Sequence, residues 1–197
     1  MNPSASATPT LVNTLWRGEN TVLRNIVLAV AGSIALTVSA KTHVPFYPVP
    51  MTMQTFVVLM IGMAYGWRLG AATVLFYLAQ GAAGLPVFSG TPERGLGLLY
   101  MAGPTGGYLA GFVASAALVG FLAERGWGRS IVTTGIAMTL GTATIFALGL
   151  AWLGFLVGWD KPVLALGLTP FLAGAAFKIA LAAALLPAAW RLVGRRG

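Results

Sequence analysis

Residues 170–193 read PFLAGAAFKIALAAALLPAAWRLV, a helix-length apolar run with Lys178 inside it and Arg191 near its end. Such a run has no polar face to turn toward water, so it must be buried in protein or lipid. At 1.5 Å per residue, Lys178 lies about 12 Å from residue 170 and about 20 Å from Arg191. A cation at that depth in a bilayer costs about 3 kcal/mol or more unless water, backbone carbonyls or an anion compensates it. Its helical neighbours at three and four positions are Gly174, Ala175, Leu181 and Ala182. Three are small and none is an acid, which leaves room for an anionic ligand. The competing reading is that the lysine stem snorkels its ammonium toward the headgroups. Lys178 taken alone leaves both readings open.

The whole chain obeys the same constraint. Of its 197 residues, 57% are hydrophobic and 8% charged, against about 25% charged in a soluble domain. There is too little polar side chain to cover a water-facing surface, so the chain reads as an integral membrane protein. It has no cysteine and only one histidine, His43. Disulfides, thiolate metal sites and a histidine-rich metal centre are thereby excluded, and no cofactor is expected. The net charge of +8 comes from basic residues clustered between apolar runs. No basic stripe with interleaved aromatics exists, so nucleic acid is not an expected partner.

Six apolar runs predict an all-α bundle of six transmembrane helices, over residues 25–42, 51–66, 69–84, 106–122, 131–157 and 170–193. Residues 1–24 read as a cytoplasmic tail with a short surface helix near 11–16, and residues 25–197 as one membrane domain. The run 26–37, with Ala40 behind it, also resembles a secretory signal, but it fits as the first span. Residues 43–50, HVPFYPVP, hold three prolines and predict a rigid turn. Residues 84–107 are too apolar for a free loop and too rich in glycine and proline for a helix. Irregular backbone at membrane depth survives only where it is buried or lines a cavity. This segment, with Glu93 and Arg94, is therefore read as a folded-in loop between the third and fourth helices. Small residues four apart permit close helix approach: Ala29 with Ser33 and Ala31 with Ala35 on the first helix, and Gly107, Gly111 and Ser115 on the fourth.

Counting basic residues orients the bundle. With the N-terminus inside, the inner segments hold Arg17, Arg24, Arg68, Arg125, Arg129, Arg191, Arg195 and Arg196, and the outer segments only Lys41, Arg94 and Lys161. Both termini then lie on the cytoplasmic side. Lys178, Thr52, Gln54, Gln80 and Arg94 converge on the outer half. There is no P-loop, and no pair of interior carboxylates for proteolysis or proton relay. The chain has a pocket that can accept an anion and no engine of its own.

Three stretches, VPMTMQTFVVLMIGMAYGWRLGA (49–71), YLAQGAAGLPVF (77–88) and GPTGGYLAGF (103–112), taken together resemble the BioY family. Its members are the biotin-binding membrane subunits, or S-components, of energy-coupling factor transporters. The resemblance covers about residues 25 to 195 in one register. It implies a six-helix, non-enzymatic subunit of the bacterial inner membrane that captures biotin from outside. Its implied partners are a transmembrane coupling subunit and two ATP-binding subunits, which supply the missing engine. It implies that Lys178 and Arg94 meet the carboxylate or nearby polar groups of biotin, with Gln80 close to the ligand. Phe88, Tyr100, Met51 and Met53 can supply apolar wall, or can simply pack the bundle. The small-residue pattern of Ala29, Ala31, Ser33 and Ala35 resembles the family's docking face. One position departs from the family: the aspartate expected three residues before the lysine is here Ala175. The ureido ring would then rely on Thr52, Gln54 or backbone carbonyls. The same fold serving another small vitamin stays open, as does a structural role in a membrane complex.

Overall fold

The computed structural model describes residues 8–16, 21–45 and 51–194. Arg17, Arg195, Arg196 and residues 46–50 of the proline-rich turn lie outside them. Nine α-helices follow in order among the described residues: α1 (Leu11–Leu15), α2 (Thr21–Lys41), α3 (Gln54–Tyr65), α4 (Trp67–Ala82), α5 (Gly97–Met101), α6 (Gly106–Ala123), α7 (Ile131–Val157), α8 (Val163–Gly167) and α9 (Leu172–Gly194). The fold is helical except for a two-residue antiparallel pairing of β1 (His43–Val44) with β2 (Met51–Thr52). That pairing takes Met51 and Thr52 out of the helix expected from residue 51.

Six helices have 12 or more residues, matching the six apolar runs. Among the described residues, four segments are long and apolar enough to cross a membrane: Thr21–Lys41, Gly106–Ala123, Ile131–Val157 and Val163–Val193. Helix α3, with 12 residues, rises about 18 Å against a hydrocarbon core of about 30 Å. Gly66, at φ +85°, ends α3 and starts α4 without a linker. An L side chain is strained in that conformation, so glycine is what permits so tight a reversal. Pro187 lies inside α9 without ending it, as membrane helices tolerate.

The surface is apolar where a soluble protein's would be polar. Leu99 is 79% exposed, Phe155 76% and Leu98 70%, with many other large aliphatic residues beside them. Contiguous apolar exposure on this scale marks a lipid-facing surface. Trp152 and Trp159 stand at one end of the bundle, Trp67 and Trp190 at the other, as interfacial belts require.

Helices α6 and α7 pack along the glycine stripe expected on α6. A Cβ on Gly111 would lie 2.9 Å from the Ile145 Cα, and one on Gly107 would lie 2.4 Å from the Leu148 carbonyl oxygen. At the arginine-rich end the N-terminal segment is tied to the bundle rather than free. The Thr8 amide donates to the Glu124 carbonyl at 2.8 Å, and the Thr8 hydroxyl donates to it at 2.7 Å. The Glu124 carboxylate accepts from the Trp67 amide at 3.1 Å. Leu11 is buried in the same cluster as Met63 and Leu122. The short helix expected near residues 11–16 is therefore present, but its Leu11 joins the core.

Candidate functional site

The folded-in loop is real. Between α4 and α6 the chain buries Val87, Phe88, Thr91 and Tyr100. Phe88 is the wedge. Its ring stacks on Tyr100 with centroids 5.0 Å apart and meets Tyr77 edge-on at 5.5 Å. Gly81 makes room for it, since a Cβ there would fall 2.0 Å from the ring. Hydrogen bonds then hold the loop backbone. The Tyr77 hydroxyl donates to the Val87 carbonyl at 2.9 Å while accepting from the Gln54 side-chain amide at 2.8 Å. The Tyr100 hydroxyl donates to the Ser89 carbonyl at 2.7 Å. From the end of α2, the Lys41 ammonium donates to the Thr91 carbonyl and to its hydroxyl. Tyr77→Phe should therefore lower the melting temperature in detergent by the equivalent of about 1–3 kcal/mol, because it leaves buried polar groups on Gln54 and Val87 unpaired.

Lys178 occupies a separate place, between α9 and the start of α3. It is half-buried, and its Nζ donates to the Thr55 Oγ1 at 3.0 Å. Gly174, one turn away, sets this approach: a Cβ there would lie 2.6 Å from the Met51 Sδ. Ala175 beside it is half-buried. An ammonium has three donors, and Thr55 takes one. No acid pairs with Lys178 among the described residues, where the one ion pair is Lys161 with Asp160. A cation held at a small-residue face with donors to spare can receive an anion.

The residues expected to converge are only partly together. Thr52 and Gln54 share the 51–55 segment with Met51 and Thr55, but Thr52 pairs with His43 across the short strands and the Gln54 side chain turns to Tyr77. Gln54 is also the link to the second group, Tyr77, Phe88 and Tyr100. Gln80 turns toward α2, where its side-chain carbonyl accepts from the Ser33 hydroxyl. Arg94 is exposed on the loop, without a side-chain hydrogen bond or ion pair to another described residue. The α2 small-residue pattern divides. Ser33 is buried and engaged, and Ala29 half-buried, while Ala31 and Ala35 are exposed. Thr55 and Tyr77 were not singled out from sequence. Both stand inside the quoted motifs, but their contacts span 123 and 23 residues, beyond the reach of helical spacing.

This helical membrane bundle with its inserted loop shares its fold with a solved membrane transporter subunit. A solved S-component for biotin from an ECF-type ABC transporter superposes with a TM-score of 0.72, covering 88% of this chain and 94% of that one at 22% identity. The BioY family pattern matches residues 8–195, and the chain belongs to the BioY family. A probable biotin transporter BioY of Pyrococcus horikoshii is 37% identical over 144 residues, 73% of this chain and 82% of its own. The biotin transporter BioY of Thermotoga maritima is 34% identical over 153 residues, 76% and 85% respectively. That of Rhizobium etli is 35% identical over 159 residues, 77% and 83% respectively.

Proposed function

We propose that this chain is the biotin-binding S-component of an energy-coupling factor uptake transporter. The observation that carries the reading is the family match over residues 8–195 together with relatives named as biotin transporters. In this reading the chain performs no catalysis, and partner chains hydrolyse ATP. The six long helices make up one membrane domain, which with α2 beginning at Thr21 starts four residues before the expected boundary at residue 25, and α3 and α4 form a short hairpin within it. Residues 1–24 and the last arginines face the cytoplasm of a bacterial inner membrane. Arg24, Arg68, Arg125, Arg129 and Arg191 mark the inner end, and Lys41, Arg94 and Lys161 the outer.

Biotin has one carboxylate, an apolar chain and bicycle, and a polar ureido ring. Such a ligand needs apolar walls and a few placed polar groups. Lys178 is assigned the carboxylate, and Arg94 is assigned to join it when the loop closes over the ligand. Thr52, Gln54 and Gln80 are assigned polar contacts. Phe88 and Tyr100 shape the wall by fixing the loop. Ala175, standing where the resemblance leads one to expect an aspartate, favours a second reading: an S-component for another small vitamin. Equilibrium binding of radiolabelled biotin to the detergent-purified protein, competed by unlabelled biotin, thiamine and riboflavin, separates the two. Saturable binding displaced by biotin alone is expected; its absence in folded protein would favour the second reading.

The exposed Ala31 and Ala35 form the part of the α2 pattern free to meet a coupling subunit, and small residues let that partner's helix come close. Ala35→Trp should leave biotin binding intact and abolish biotin uptake by cells carrying the full transporter. Uptake at the unsubstituted rate would remove this face from the docking surface.

A further inference from the structure

We propose that Thr55 is a ligand-binding residue: its hydroxyl accepts from Lys178 and donates its own proton to the ligand carboxylate, so that α3 and α9 grip that group together. The inference rests on the reading of Lys178 as the carboxylate partner.

Thr37, Thr73, Thr139 and Thr144 all turn their hydroxyls back to the carbonyl four residues earlier on their own helix. That is the usual resting place for a threonine hydroxyl in an apolar helix. Thr55 instead faces across the bundle, and its Oγ1 is the acceptor for the Lys178 Nζ at 3.0 Å. A hydroxyl carries one donor as well as its lone pairs. Lysine is donor-only, so the Thr55 proton cannot point at Lys178 and is left for another acceptor. No protein acceptor takes it among the described residues. The ammonium likewise keeps two protons beyond the one given to Thr55. Two donor groups 3.0 Å apart, one cationic and one neutral, match the two oxygens of a single carboxylate.

A close approach of the two segments accompanies this pair. Met51 and Thr55 are four residues apart, as are Gly174 and Lys178, and Gly174 sits directly against the Met51 sulfur. The small Gly174 thus lets the segment leading into α3 lie close against α9, one turn from Lys178. Specificity for an anionic head group follows, because a carboxylate offers an acceptor oxygen to each donor, whereas a neutral amide has one carbonyl oxygen for the Lys178 ammonium and sets its NH2 against the Thr55 proton.

The test measures the affinity of purified protein for biotin and for biotinamide, its neutral amide, in Thr55→Val, Thr55→Ala, Thr55→Ser and Lys178→Met. Thr55→Val and Thr55→Ala should each weaken biotin binding by about tenfold, leave biotinamide binding unchanged, and be rescued by Thr55→Ser. Melting curves identify which variants are folded. Equal loss for both ligands would mean that Thr55 acts only through packing, and would overturn the proposal. Unchanged biotin affinity in Thr55→Val alongside a loss in Lys178→Met would remove Thr55 from the site and keep Lys178 in it. Unchanged affinity in both would show that the carboxylate lies elsewhere, and the proposal would fall with the assignment of Lys178.

Discussion

Lys178→Met should weaken biotin binding by at least about tenfold while the protein stays folded, with a melting temperature equal to or above that of the unsubstituted chain. The two halves of this expectation have separate causes. Lys178 sits half-buried on α9 with a single hydroxyl for company. A charge in that position weakens the empty protein, because desolvation is not repaid by an opposite charge. Methionine keeps the unbranched stem and removes the charge, so stability should not fall. Binding loses the charge-assisted hydrogen bonds to a carboxylate, worth about 1.5–3 kcal/mol, or about tenfold or more in affinity. Equilibrium binding and a melting curve on one preparation check both halves. Unchanged affinity in a folded Lys178→Met protein would remove Lys178 from the site.

Gly120→Leu should abolish the folded, monodisperse protein. Gly120 faces the reversal between α3 and α4, and its surroundings there are backbone: a Cβ would lie 2.5 Å from the Gly66 carbonyl carbon and the Trp67 nitrogen, and 2.6 Å from the Trp67 Cα. Side chains can rotate away from an intruder, whereas this backbone is held by the Gly66 turn and by the Glu124 contact to the Trp67 amide. Overpacking typically costs about 1–3 kcal/mol, and more where, as here, the atoms in the way are backbone. Gly135→Leu is the matched control. Gly135 is also a helical glycine, on α7, but no heavy atom lies within 4 Å of its added Cβ. It lines an apolar groove of about 420 Å³ between α7 and α9. The same substitution there should leave the melting temperature nearly unchanged, as measured by size-exclusion profile and thermal scan. A folded Gly120→Leu protein would show that α6 can withdraw from the α3–α4 turn, and that the close approach is not required.

Much of this molecule was legible before folding. Membrane residence followed from having too few polar side chains to cover a surface. The positions of the long helices followed from apolar runs broken by arginine, glycine and proline, because each break is a local conformational fact. The folded-in loop followed from the same logic: residues 84–107 were too apolar to leave in water and too irregular to cross lipid bare. The glycine stripe on α6 announced the close contact with α7. Lys178 stood out because an intramembrane cation is costly wherever it is put.

What the sequence could not decide was pairing across distance. Helical spacing says which residues share a face, but not which helix that face meets. The pattern on α2 therefore read as one docking surface, whereas the packed bundle turns Ser33 inward to Gln80 and leaves Ala31 and Ala35 outside. Gln80 and Arg94 read as neighbours of Lys178, yet one bonds to α2 and the other stands exposed on the loop. Lys178 itself found its partner in Thr55, 123 positions away. Local chemistry determined which segments enter the membrane and where they break. Only the tertiary structure decided which polar groups meet, because a buried donor is satisfied by whatever acceptor the packing brings near, however far off in the chain.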